Sequence, residues 1–532
     1  MIGLADQMRA RKHRTIFVCN DNQAPKHFGH ELVSLRSNSL EPQQADRAAL
    51  SDTEESVFLG DAKLNAKWAQ MVDLLDLNLT GEPELVVRSL AHNFGLLKLT
   101  IEAEILPLDE KLEQILVDLQ ADLVVVDHLC PIPAVWRLAD ESYALKRGLA
   151  RPQRWLALNS CNPMSLYHAH SAGKFPPPLM GLGSSAIGGG ASLEIEQLRY
   201  ERALRSSGML SALGELAALA GLDLSDSRKS AAQQQVAAQF CRNESPWLNL
   251  YMFPRLLDYS NEPNARLPNQ LWVQLDSLVR EPLLLRSNST HCDEQLQTSS
   301  KCSQREEKLL EQVAQWHNNN QQQQQLVVIY VSPGTTMSCN LSLMSSLLGQ
   351  IFACLASRPN WRFAVALGAR SSQLAASQLA ELDQWKTSGR LLAANWWPQP
   401  ELLRRQLIDV CVSHGGNNTL CELLHFQVKH LVLLAAFHDQ LDNARRVADL
   451  KVGVALPASQ LLRRPADEAA SGDLLRDAVE RSLELSWTGR ARQTGGAGGE
   501  PSATTLELRD SIYCARLLEA KLQGEEAEGE VE

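Results

Sequence analysis

Between Val410 and Leu424 the sequence reads VCVSHGGNNTLCELL, an apolar run that stops at a histidine, two glycines, two asparagines and a threonine before a helical pattern begins. Residues of these types at a strand-to-helix junction can hold an anion. The unpaired N–H groups of a first helical turn, with the helix dipole behind them, attract phosphate. Glycines such as Gly416 let the phosphate come close to the backbone. Asn418 and Thr419 can cap the helix or donate to phosphate oxygens, and His414 can add a donor. Glu422 falls one turn further on, on the face shared with Asn418 and Thr419. A carboxylate there would repel phosphate, but it could accept two hydrogen bonds from a ribose diol. By itself the loop reads equally as a capped helix with Glu422 as a surface acid.

Two flanking blocks bear on that choice. RLLAA leads into NWWPQPELL, which sets Trp396 and Gln399 just after an apolar run. A tryptophan at a strand end can stack on a base, and a glutamine can hydrogen-bond the base edge; an isolated tryptophan pair would more simply be core. HLVLLAAF leads into HDQLDNA, where Asp439 and Gln440 offer acceptors and donors suited to sugar hydroxyls. An exposed helix start capped by Asp439 is the plainer account.

The elements that must carry these residues are short apolar runs separated by helical patterns: LVVIYVS, RFAVALG, RLLAA, LIDVCVS, HLVLLA and VGVAL. Such alternation predicts βαβ units and a parallel sheet, with ligands at the carboxyl ends of its strands. The first half alternates less regularly. TIFVC, ADLVVVD and RWLALNS read as strands, PIPAVWRLADESYAL as one helix, and about Leu193 to Ser260 as mainly helical. The glycine-rich GLGSSAIGGGA reads as a loop, because no strand feeds its glycines. Polar and glutamine-rich sequence around one helical segment, EEKLLEQVAQW, marks a boundary. The expected organisation is a domain over 1–280, a linker over 281–325, a second domain over 326–490, and a glycine-rich break, helix and acidic tail over 491–532.

A chain of 532 residues is too long for one core, which agrees with two domains. A net charge of -11 and the lack of a long basic run argue against a nucleic-acid binder. Eleven cysteines, odd in number and scattered without a metal-binding pattern, point to free thiols in a cytoplasmic protein. No apolar run is long enough for a transmembrane span. The first residues read as an amphipathic helix entering a strand, not as a signal peptide.

NWWPQPELL, SHGGNNTLCELL and FHDQLDNARRVADLKVGVAL, in this order and spacing, resemble the signature of UDP-dependent glycosyltransferases of the two-Rossmann, or GT-B, type. The resemblance is strong over roughly 327–456 and weaker through ADLVVVD, FPPPLMGLGS and YVSPGTT. It implies an α/β fold with two Rossmann-like domains whose parallel sheets face a cleft. It further implies that Trp396 stacks on uracil beside Gln399, and that Glu422 holds the ribose. His414, Gly416, Asn418 and Thr419 would hold the diphosphate, Asp439 and Gln440 the donor sugar, and Gly334 and Thr335 match a turn near the phosphates. The implied activity is inverting transfer of a hexose from a UDP-sugar to a small lipophilic acceptor. No cofactor or metal is expected, because a helix N-terminus stabilises the departing UDP.

The resemblance also implies a base histidine in a loop after the first strand, oriented by an aspartate that Asp127 matches. This sequence starts inside the following helix, so the N-terminal domain is expected to be incomplete and no base is assigned. His13 belongs to a helix–strand turn, His128 should point away from Asp127, and His27 and His30 have no motif support. The alternatives are a catalytically silent UDP-sugar-binding protein and, more weakly, another two-Rossmann enzyme such as a UDP-sugar epimerase.

Overall fold

The structure, a computed structural model, describes residues 8, 11–19, 31–34, 43–44, 83–127, 131–171, 174–182, 191–224, 231–262, 264–267, 272–276, 304–319, 326–368, 370–462, 473–485, 517–519 and 521–522. Strands β1 (Ile16–Cys19), β2 (Glu31–Ser34) and β3 (Gln43–Gln44) form a small sheet, in which β1 and β2 are parallel and β3 is antiparallel to β2. A second sheet has four parallel strands in sequential order: β4 (Val124–Asp127), β5 (Trp155–Asn159), β6 (Leu248–Met252) and β7 (Trp272–Leu275).

Two of these strands, β6 and β7, are not among those read from the sequence. LNLYM is only five residues long and follows three helices, Ala191–Ser206, Met209–Leu219 and Ala231–Cys241. A short apolar run after helical sequence does not reveal its period. All five of its residues are buried, as a central parallel strand requires. PIPAVWRLADESYAL also differs from the expectation of one helix. It breaks at Asp140 (φ -75, ψ 127), whose carboxylate accepts from the Tyr143 N–H at 2.9 Å and caps a second helix, Glu141–Lys146.

The third sheet holds the six strands expected in the second half: β8 (Val327–Ser332), β9 (Trp361–Ala366), β10 (Leu391–Ala394), β11 (Val410–Ser413), β12 (His430–Ala435) and β13 (Val454–Pro457). Their order is β10-β9-β8-β11-β12-β13 and every pairing is parallel, which is a Rossmann sheet. Alternation along each strand feeds two cores. Ile329, Val331, Val412, Val432 and Leu434 join one apolar cluster with Leu347 and Ile351, while Val328, Tyr330, Cys411, Leu431 and Leu433 join another on the opposite face. The order reverses between β8 and β11, so the crevice at their carboxyl ends is where this fold places a ligand.

Within the stretch 281–325, the described helix Gln304–Asn319 packs on this second domain. Trp316 Nε1 donates to the Gly389 carbonyl at 3.1 Å, and Arg405 forms a two-pronged pair with Glu307 at 2.8 Å. At the far end of the chain, Leu517 and Leu518 pack with Leu156, Leu158 and Leu248 of the four-stranded sheet. Glu519 accepts from Arg11 at 2.7 Å and pairs with His13 at 2.9 Å. His13 is thus tied to the tail. His27, His30, His128 and residues 183–190 of the glycine-rich loop lie outside the described residues.

Candidate functional site

β11 delivers its chain to the crevice at Ser413, and the helix Asn417–His425 leaves it. Gly416 takes the N-cap position (φ -62, ψ 144), and no side chain caps the helix. The first-turn N–H groups are therefore left for a ligand or water. Asn418 is exposed and Thr419 half-buried beside them. Gly415 sits at φ +77, a conformation that costs glycine little and other residues more.

His414 is packed between two glycines. A Cβ on Gly334 would lie 2.6 Å from its Nδ1, and a Cβ on Gly416 would collide with its Nε2. Gly334 (φ +77) opens the short helix Gly334–Met337 after β8, so the two strands flanking the switch point meet through this imidazole. Burial lowers the His414 pKa to about 4, and its Nδ1 has no hydrogen-bond partner. The ring is therefore a neutral donor or acceptor at pH 7. Thr335 is exposed, next to Gly334.

β10 brings in the pair Trp396–Trp397, and the two rings divide. Trp397 is core, donating from Nε1 to the Val365 carbonyl at 2.9 Å. Trp396 is 64% exposed, so its indole face is open to a flat ligand. Three residues on, Gln399 Nε2 donates to Glu422 Oε2 at 2.7 Å and joins the end of β10 to the helix after β11. Burial raises the Glu422 pKa, while the Gln399 hydrogen bond pulls the other way.

β12 ends in a turn where His438 adopts φ 51, ψ -144 before the helix Asp439–Asp449. Asp439 is half-buried at the first domain, its Oδ2 3.4 Å from the Asn162 N–H, and desolvation raises its pKa to about 6. Gln440 is turned back on its own loop: its Oε1 accepts from the Ala436 and Phe437 N–H groups at 3.2 and 3.4 Å.

Asp127, at the end of β4, accepts from the Ser160 hydroxyl at 3.2 Å. Asn162, two residues beyond Ser160, meets Asp439, so one loop after β5 links Asp127 to the second domain. The Cys161 thiol in that loop has a raised pKa, first from burial and then from Asp439 and Asp127. The carboxyl ends of the two parallel sheets therefore face each other across this junction.

Residues 403–468 match the family model described as the glycosyltransferase family 28 C-terminal domain. A UDP-glycosyltransferase of Arabidopsis thaliana, 74D1, is 33% identical over 97 residues, which is 18% of this chain and 21% of that protein. Over this stretch the chain is similar to a UDP-glycosyltransferase. The match spans about a fifth of the length of that curated relative. Among solved structures, CalG4, the calicheamicin glycosyltransferase, is 16% identical with a TM-score of 0.49, covering 98% of this chain and 94% of its own. Os79 from O. sativa, solved in complex with UDP, is 15% identical with a TM-score of 0.45, covering 98% and 96%. Among the described residues, no helix is long and apolar enough to cross a membrane.

Sequence reasoning missed the residues that join the two domains. Asn417 Nδ2 donates to the carbonyls of Ser160 and Met252 at 2.9 and 2.8 Å. Asp442 accepts from the N–H groups of Leu179 and Gly181 at 2.6 and 2.8 Å. Arg446 donates to the Leu257 and Asp258 carbonyls at 2.7 and 2.5 Å, pairs with Glu262 and lies over the Tyr259 ring. A signal was present: Asp439, Asp442, Asn443 and Arg446 recur at helical spacing, a polar stripe where a core-facing helix should be apolar.

Proposed function

We propose that this chain transfers a hexosyl group from a UDP-sugar to a hydroxyl of a small lipophilic acceptor, with inversion. The observation that carries the reading is the convergence, at the carboxyl edge of one Rossmann sheet, of an uncapped helix start, an exposed indole and a half-buried carboxylate. Trp396 stacks on uracil beside Gln399, Glu422 accepts from the ribose hydroxyls, and the His414–Thr419 loop with Gly334 and Thr335 cradles the diphosphate. Asp439 accepts from the sugar hydroxyls, and Gln440, its Oε1 engaged by the Ala436 and Phe437 N–H groups, has only its amide N–H groups to offer the sugar.

In the reaction the acceptor oxygen attacks the anomeric carbon as the bond from that carbon to the diphosphate oxygen breaks. UDP leaves with the bonding electron pair; the acceptor proton requires a general base, for which no histidine is assigned and Asp127 is the orienting carboxylate. Negative charge on the departing diphosphate is met by the helix N-terminus, with no metal assigned to the step. The acceptor binds on the first domain, opposite the donor. A cytoplasmic setting is supported by thiols at Cys161, Cys241, Cys339, Cys411 and Cys421 that form no disulfide.

Calorimetric titration with UDP tests the donor site, and mass spectrometry after incubation with UDP-hexoses and a panel of hydroxylated acceptors tests transfer. Saturable UDP binding and a hexose adduct are expected. Binding without any adduct reassigns the chain as a UDP-sugar-binding protein. Release of altered UDP-sugar without acceptor marks an epimerase. A protein that binds no UDP overturns the reading.

A further inference from the structure

We infer that Asn162, supplied by the first domain, is a positioning residue for the donor diphosphate, acting through Asn443 on the turn at Gly415. The inference rests on the donor reading above and assigns a role to Asn162, which lies outside the signature blocks, and to Asn443, to which that reading gives none.

Asn443 lies on the helix Asp439–Asp449, fully buried. Its Nδ2 donates to the Gly415 carbonyl at 2.8 Å, and its Oδ1 accepts from Asn162 Nδ2 at 2.6 Å. With a donor and an acceptor engaged at opposite ends, the amide has one orientation; turned over, it would set like groups against each other. Asn162 is also buried and is itself oriented. Its Oδ1 accepts from the Met164 N–H at 2.8 Å, and its Nδ2 also reaches the Tyr259 hydroxyl at 3.2 Å.

The consequence falls on one peptide plane. In a trans peptide the carbonyl of Gly415 and the N–H of Gly416 point in opposite directions. Holding the Gly415 carbonyl on Asn443 therefore aims the Gly416 N–H away from that helix, with the first-turn N–H groups that follow it. Gly415 at φ +77 has little intrinsic preference for this plane, because glycine reaches other conformations freely. The amide pair supplies the constraint that the glycine lacks. Asn417, two residues on, is anchored to the same first-domain loop through the Ser160 carbonyl at 2.9 Å. The phosphate loop thus takes its binding shape from contacts with the opposite domain.

The test is titration of the intact chain and its variants with UDP and, separately, with uridine, which lacks the phosphates. Asn162→Ser keeps a hydroxyl to accept from the Met164 N–H but cannot reach Asn443. Asn443→Ala removes the bond to Gly415, and Asn443→Asp keeps the acceptor for Asn162 while losing that donor. Each variant should weaken UDP by about tenfold, the size of one lost positioning hydrogen bond, and leave uridine within twofold. Asn162→Ser with Asn443→Ala should be no weaker than Asn443→Ala alone, since the first acts only through the second. UDP affinity unchanged in Asn162→Ser, equal losses for UDP and uridine, or additive losses in the double variant would each overturn the inference. Wild-type protein that binds no UDP would instead remove the donor reading and this role together.

Discussion

Glu422→Gln is the sharpest test of the nucleoside half of the site. The side chain accepts from Gln399 Nε2 at 2.7 Å through Oε2, and burial raises its pKa. The substitution keeps the volume but removes the charge and turns one acceptor oxygen into a donor. A ribose diol offers two hydroxyl donors, so at least one loses its acceptor. A hydrogen bond to a charged group contributes about 1.5–3 kcal/mol. At about 1.4 kcal/mol per factor of ten, UDP affinity should fall roughly 10- to 150-fold. The assay is calorimetric titration with UDP and 2′,3′-dideoxy-UDP. Wild type should prefer UDP strongly, and the variant should bind both with similar weakness. The preference should also shrink in wild type on acidification, because the raised carboxyl is protonated before an ordinary glutamate would be. The variant should show no such trend. A Glu422→Gln protein that binds UDP within threefold of wild type, or that loses both ligands equally, refutes the ribose assignment.

Trp396→Ala should weaken UDP by about 1–3 kcal/mol and leave inorganic pyrophosphate binding unchanged, since the exposed indole is a stacking face only; competition titration checks this. Gly334→Ala should destabilise the second domain by about 1–3 kcal/mol in denaturant unfolding, because the new methyl meets the His414 ring at a positive φ. Arg446→Met should cost about 3–5 kcal/mol, leaving Glu262 and two carbonyls without their donor. Burial raises the Asp442 pKa to about 7 and the Asp439 pKa to about 6, so the folded state holds these protons more tightly than the unfolded chain. Stability contributed this way is present at about pH 4 and lost as the pH rises to about 7. Asp442→Asn should flatten that decline in a pH series of melting temperatures.

The second domain was legible because its strands are apolar and separated by clear helices, and because each signature block follows a strand directly. Trp396 and His414 thus fall just beyond strand ends, with Gln399 and Glu422 in the helices that follow. The first domain was less so. β6 comes after three successive helices, and a break at Asp140 divides what reads as one helix. What stayed hidden was anything that depends on the two halves meeting. Asn162 and Asn443 are 281 positions apart, and neither has a local pattern that names the other. Of the two tryptophans at the end of β10, no spacing rule told which ring the core would take. The structure gives Trp397 to the core through its bond to Val365 and leaves Trp396 outside.

Burial determines the charge of this site as much as residue type does. His414 and His438 are pushed down to about 4, so neither imidazole is a cation at neutral pH. On the proposed donor reading, attraction for a diphosphate at this loop rests on N–H dipoles: the uncapped turn from Asn417 and the peptide planes at Gly415 and Gly416. Dipoles stabilise a departing anion only if they point at it beforehand, because reorienting them during the reaction would cost what they contribute. A loop of glycines cannot fix its own dipoles. Here the directions come from outside the loop: the His414 ring wedged against Gly334, the Asn443 amide on the Gly415 carbonyl, and the Asn417 side chain in the first domain. Two of these three supports depend on the domains being together. On the proposed donor reading, full strength in the phosphate loop therefore requires the contacts that Asn162, Ser160 and Met252 of the first domain make with Asn443 and Asn417.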